Sequence, residues 1–141
     1  MRADLPVVAV LDSEALSAVA FPRERGRSAR RAQAVLTAVE RMGGRACVPA
    51  PVIAEVARTP ARRAAVDRVL SRLPVVDTDR TVATTAGELL GRHDLDSRHA
   101  VDAFVAATAL TTRPSVVITG DPDDLSRLVG DLPGVRVRAV T

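Results

Sequence analysis

Four carboxylates in this sequence stand where their neighbours call for something neutral. Asp12 closes the apolar run Val7-Val8-Ala9-Val10-Leu11, which reads as a strand buried on both faces. Asp121 follows a similar run, Ser115-Val116-Val117-Ile118-Thr119, across Gly120. Glu55 lies in Val52-Ile53-Ala54-Glu55-Val56, among side chains that look buried. Asp102 sits between Val101 and Ala103 in a helix apolar nearly all round, although Asp is a weak helix former. Taken singly, each has an ordinary account: Asp12 and Asp121 as helix caps, Asp102 as the partner of Arg98, Glu55 as a residue facing water. Taken together they carry more, because two strand ends and two helices of one sheet can converge on a single cleft. Two carboxylates about 4 Å apart repel by roughly 4 kcal/mol at an effective dielectric of about 20. Four of them persist together only around a cation or with raised pKa values. Ligands that are all oxygen suit Mg²⁺ or Mn²⁺ rather than zinc or copper.

The elements that must position these acids alternate along the chain. Ser13 can cap a helix reaching about Ala20, and Phe21-Pro22 breaks it. A basic helix is expected from Arg23 to Met42, its stripe of Ala32, Val35, Leu36 and Val39 ending at Gly43-Gly44. Arg45–Val48 reads as a second strand, Pro49–Pro51 opens the helix of Glu55, and Pro60–Leu73 is another basic helix. Pro74–Asp77 is a short strand, and Thr78-Asp79 caps a helix over Arg80–Gly91. A polar loop, His93–Arg98, precedes the helix His99–Leu110, in which His99, one turn before Asp102 and within reach of a substrate there, reads first as a helix-start residue. After the strand Ser115–Thr119, the turn Gly120–Asp124 caps the last helix, and Val135–Val140 alternates as a final strand. Strands alternating with helices and no repeats predict a parallel α/β/α sandwich in a single domain over residues 1–141.

Composition narrows the chemistry. All 20 basic residues are Arg, and the absence of Lys excludes P-loop ATPase, pyridoxal-phosphate and receiver-type phosphotransfer mechanisms. With Phe21 and Phe104 as the only aromatics, the core must be aliphatic and base stacking is poor. One cysteine, Cys47, excludes an internal disulfide and a cysteine-ligated zinc site. The net charge of +3 is uneven: seven Arg between Arg23 and Arg45 and five between Arg58 and Arg72 flank an acidic stretch from His93 to Asp124. A basic flank beside an acidic centre suits a polyanion held near metal ions, though ordinary solvated helix faces read the same way. The longest early apolar run is too short for a membrane span, and the expectation is a cytoplasmic protein.

Four pieces in order, Leu11–Leu16, Val52–Val56, Ala100–Ala106 and Ile118–Leu125, give the chain a resemblance to the PIN-domain ribonucleases. It most resembles the VapC-type toxins of bacterial toxin–antitoxin pairs. The pieces span nearly the whole chain. The resemblance implies a PIN-like three-layer fold in which Asp12, Glu55, Asp102 and Asp121 form the family's acidic quartet. Asp12, Asp102 and Asp121 would hold Mg²⁺ (or Mn²⁺), and Glu55 would position or deprotonate the attacking water or complete a second metal site. Ser13 and Thr119 would be supporting hydroxyls, and Asp123 or Asp124 an additional or alternative acid. Glu14 departs from the small or amide residue expected beside Asp12. Activity, on the same ground, would be endoribonucleolytic, leaving a 5′-phosphate and a 3′-hydroxyl. Arg30 and Arg31 would hold the RNA backbone, the chain would form a homodimer, and a cognate antitoxin would silence it. Two other readings share these residues: a PIN-like module that binds RNA or protein without cutting, and a metal-dependent nuclease acting on DNA.

Overall fold

The computed structural model describes residues 6–141, so the first five residues of the expected domain lie outside the described residues. Five strands form one sheet in the order β3-β2-β1-β4-β5, every neighbouring pair parallel. They are β1 (Val8–Leu11), β2 (Arg45–Pro49), β3 (Val75–Val76), β4 (Ser115–Thr119) and β5 (Val135–Ala139). The central strands β1 and β4 are buried at every residue, whereas edge strand β5 buries Val135 and Val137 only in part and exposes Arg136 and Arg138. A continuous apolar run thus marks the middle of the sheet and alternation marks its edge.

From β1 the chain builds outward to β2 and β3 through α1 (Ser13–Ala20), α2 (Pro22–Arg25), α3 (Arg27–Arg41), α4 (Ala50–Val56) and α5 (Pro60–Leu70). It then crosses back through α6 (Arg80–Arg92) and α7 (Ala100–Thr111) to β4, and through α8 (Pro122–Val129) to β5. Right-handed crossovers in opposite directions cover opposite faces of the sheet, giving the three-layer α/β/α architecture. The reversal falls between β1 and β4, where an open parallel sheet leaves a crevice at the strands' carboxyl ends.

The core is aliphatic as expected. Leu11, Leu16, Leu89, Ile118, Leu125 and Leu128 are fully buried, each stabilising the fold by about 1.5–3 kcal/mol. Both phenylalanines are only half-buried. Ala103, Ala106, Ala107 and Ala109 give α7 a small-residue surface buried against the rest of the core. Cys47 behaves as one more core side chain, burial pushing its thiol up to about 11.

Two local expectations change. The basic helix does not run unbroken from Arg23: Gly26, at φ +46°, separates α2 from α3. Contacts outside the helix hold the short piece, since Arg25 pairs with Glu14 at 3.1 Å and Glu24 with Arg62 at 3.2 Å. The Arg62 guanidinium also lies 4.4 Å from the centre of the Phe21 ring. The cap of α1 is Asp12 rather than Ser13, for a reason that belongs to the site.

Candidate active site

Asp12 is both the last rung of the β1–β4 ladder and the first group of α1. Its N–H donates to the Ile118 carbonyl at 3.0 Å, and its carbonyl accepts from Leu16 at 2.9 Å. The ladder bond keeps Asp12 extended, so Oδ1 accepts from the Ala15 N–H at 2.9 Å and Ser13 is left as the first helical residue. Register supplies the second oxygen's partner. Leu11 pairs with Ile118, which sets the next residues, Asp12 and Thr119, side by side, and the Thr119 hydroxyl donates to Asp12 Oδ2. With only 4% of its surface exposed, Asp12 has its carboxyl pushed up to about 6. Burial dominates, the Thr119 and Ala15 bonds oppose it, and the charge of Glu14 adds to it.

The same Thr119 oxygen accepts the Asp121 N–H at 2.8 Å, so one hydroxyl ties the two strand ends together. Asp121 caps α8 through a long 3.5 Å bond from the Asp124 N–H and is exposed. Asp102 lies in the first turn of α7, half-buried, where the positive end of the helix favours a carboxylate. Even so its carboxyl is pushed up to about 6, first by burial, then by the charges of Asp12, Asp121, Asp124 and Glu55. Arg98 does not relieve it: that guanidinium sits on Asp96, 3.2 Å away, in the 3₁₀ turn Ser97–His99. Glu55, exposed on α4, accepts a hydrogen bond from the Ser13 hydroxyl.

Acids from the β1–α1 junction, α4, α7 and the β4–α8 junction thus share one electrostatic neighbourhood at the crevice. Of the two further acids singled out in the sequence, Asp124 belongs to that neighbourhood, whereas Asp123 is exposed on the first turn of α8. Glu14 projects from α1 beside them, held by Arg25, with its Cβ and Cγ packed over Gly120. A Cβ at Gly120 would come within 2.5 Å of Glu14 Cβ, so only glycine lets the β4–α8 turn approach α1 this closely. Arg30 and Arg31 are exposed on α3, outside the acidic group, and Arg31 donates to the Thr141 carbonyl.

One neighbour that the sequence marks as a helix-start residue does more. His99, the N-cap residue of α7, has Nδ1 4.0 Å from Asp124 Oδ2, and His99, Asp102 and Asp124 each offer a ligand atom within 4.8 Å of the others. A histidine one helical turn before Asp102 was visible in the sequence; its meeting with an acid 25 positions further on was not. The donors fit a hard divalent cation: carboxylate oxygens dominate, and burial and neighbouring acids push two of the carboxyls up, both of which a bound cation would offset.

The family model for the PIN domain matches residues 9–130. No curated protein matches the sequence. Among solved structures, VapBC2 of Rickettsia felis bound to a promoter DNA fragment is similar with a TM-score of 0.68 at 16% identity, over 94% of this chain and 98% of that one. DNA-bound VapBC of Salmonella typhimurium gives 0.66 at 20%, over 96% and 99%. VapBC-1 of nontypeable Haemophilus influenzae gives 0.66 at 14%, over 95% and 98%.

Proposed function

The chain belongs to the PIN-domain family, and on that premise we propose that it is a divalent-metal-dependent endoribonuclease toxin of the VapC type, silenced by a cognate antitoxin. The observation that carries the reading is the meeting of carboxylates from four separate elements at the crevice where the strand order reverses. A site that keeps Asp12 nine-tenths out of water without a cation of its own is built for an ion and an anionic substrate.

Asp12, Asp102 and Asp121 hold Mg²⁺ or Mn²⁺. Bound there, the ion supplies charge neutralisation at the scissile phosphate and activation of the attacking water. Thr119 fixes the Asp12 carboxylate and, through the Asp121 N–H, the start of α8. Glu55, exposed and oriented by Ser13, takes the proton of the attacking water. Arg30 and Arg31 hold the RNA backbone, which supplies affinity with little choice of sequence. Residues 1–141 act as one PIN-like unit and pair as a homodimer. The antitoxin assignment is supported by similarity to VapBC complexes. No described helix is long and apolar enough to cross a membrane.

The test offers RNA, DNA and a small phosphodiester side by side, with Mg²⁺ and with chelator. RNA fragments bearing 5′-phosphates in the Mg²⁺ arm alone are expected, and their loss in Asp12→Asn and Asp102→Asn. Cleavage of DNA in preference, or full activity in both variants, overturns the reading.

A further inference from the structure

His99 is the one imidazole among the carboxylates at the crevice, and Nδ1 faces Asp124 Oδ2 across 4.0 Å. That gap is too long for a hydrogen bond and short enough for both atoms to share an ion. The third member, Asp102, offers an oxygen within 4.8 Å of both; around one octahedral ion with bonds of about 2.1 Å, one pair of three ligand atoms can stand about 4.2 Å apart and the other pairs about 3 Å. Closing on an ion takes movements on the order of an ångström, from side chains that are all only half-buried. The backbone is already set for this. The 3₁₀ turn capped by Asp96 presents His99 at the start of α7, and α8 begins at the Asp121 cap, which delivers Asp124 one turn in.

We infer that His99 and Asp124 join Asp102 as metal ligands, so that this chain's crevice takes Mn²⁺ in preference to Mg²⁺. Imidazole nitrogen gains little from Mg²⁺, which holds to oxygen and keeps its waters, and more from a first-row transition ion. The inference rests on the nuclease reading for Asp102 as a metal ligand; the part played by His99 and Asp124 is its own.

Binding of each ion alone to the full chain tests it, by loss of the free Mn²⁺ electron paramagnetic resonance signal and by calorimetry with Mg²⁺. His99→Gln is expected to weaken Mn²⁺ roughly tenfold while changing Mg²⁺ less than about twofold, in line with ligand softness. Asp124→Asn should weaken Mn²⁺ as well. The chain has two histidines. On substoichiometric Mn²⁺, the imidazole resonance that disappears in His99→Gln should broaden ahead of the other. Equal loss of both ions in His99→Gln, no change in either, or undifferentiated broadening overturns the inference. If Asp102→Asn abolishes binding while His99→Gln leaves it intact, the nuclease reading stands and this one falls; if wild type binds neither ion, both fall.

Discussion

The two strand ends at the crevice, Asp12 after β1 and Asp121 after β4, begin alike and finish differently. Both follow a fully buried central strand and both cap a helix. Asp12 comes directly after its strand, within the ladder, with each oxygen satisfied and almost no surface exposed. Asp121 comes one residue later, past Gly120, exposed and with a single long cap bond. Thr119 stands beside Asp12 in the register and takes the place an acid would have had. One inserted glycine therefore separates a rigid, desolvated acid that resists ionisation from a solvated one that adapts. On the proposed reading, an incoming cation would meet one tightly held acid and one exposed one.

The largest expected effect separates them in activity. Asp12→Asn should cut RNA cleavage by roughly 10²–10⁴-fold, a range typical of lost acid–base or metal-positioning groups, whereas Asp121→Asn should cost about tenfold because Asp121 is exposed and water can take its place. Equal losses measured under single-turnover conditions would erase the distinction.

Stability against pH comes next. The Asp12 and Asp102 carboxyls sit near 6 in the fold against 3.8 as the ordinary value, so between those values the folded chain binds more protons than the unfolded one. Metal-free stability should then fall as pH rises from about 4 to about 6 and level off above, by roughly 3 kcal/mol for the buried Asp12 and less for half-buried Asp102. Asp12→Asn should remove the first of these contributions, making the metal-free protein more stable at pH 7 but not at pH 4. Asp121→Asn should leave the Asp12 contribution in place and lessen only the smaller one from Asp102, which loses a neighbouring charge. Denaturant titrations in chelator across that range check both.

Thr119→Val probes the hydroxyl shared by the two ends. It should destabilise by about 1–2 kcal/mol at pH 7, because a buried acceptor and the Asp121 N–H lose their partner. It should also push the Asp12 carboxyl further up, displacing the stability profile toward higher pH. The smallest effect lies away from both ends: replacing Arg30 and Arg31 with Ala should flatten the salt dependence of RNA binding, by about one unit of log–log slope for each phosphate no longer neutralised. An unchanged slope would move backbone recognition off α3.

Much of this fold was readable because its signals are local. The runs before Asp12 and Asp121, the Asp79 cap and the Pro60 helix start each lie within a few residues of what they determine. Where two local signals competed, tertiary contacts decided. Asp12 and Ser13 are both good caps, and the bond from Asp12 to Ile118 chose between them. The Arg23–Met42 pattern looked continuous, yet Gly26 breaks it where Glu14, Arg62 and Phe21 hold α2. Arg98 looked like a partner for Asp102 until Asp96, two residues away, captured it. The approach of His99 to Asp124 depends on where α7 and α8 begin, which no spacing along the chain reports.

The packing of Glu14 over Gly120 fixes more than a turn. Because that contact leaves no room for even a methyl group, the loops bearing Asp12 and Asp121 meet backbone against side chain and cannot move closer together. The closest approach of the two loops is thereby set by the polypeptide itself. Any residue larger than glycine at position 120 would be felt first at Glu14 and, through its ion pair, at Arg25.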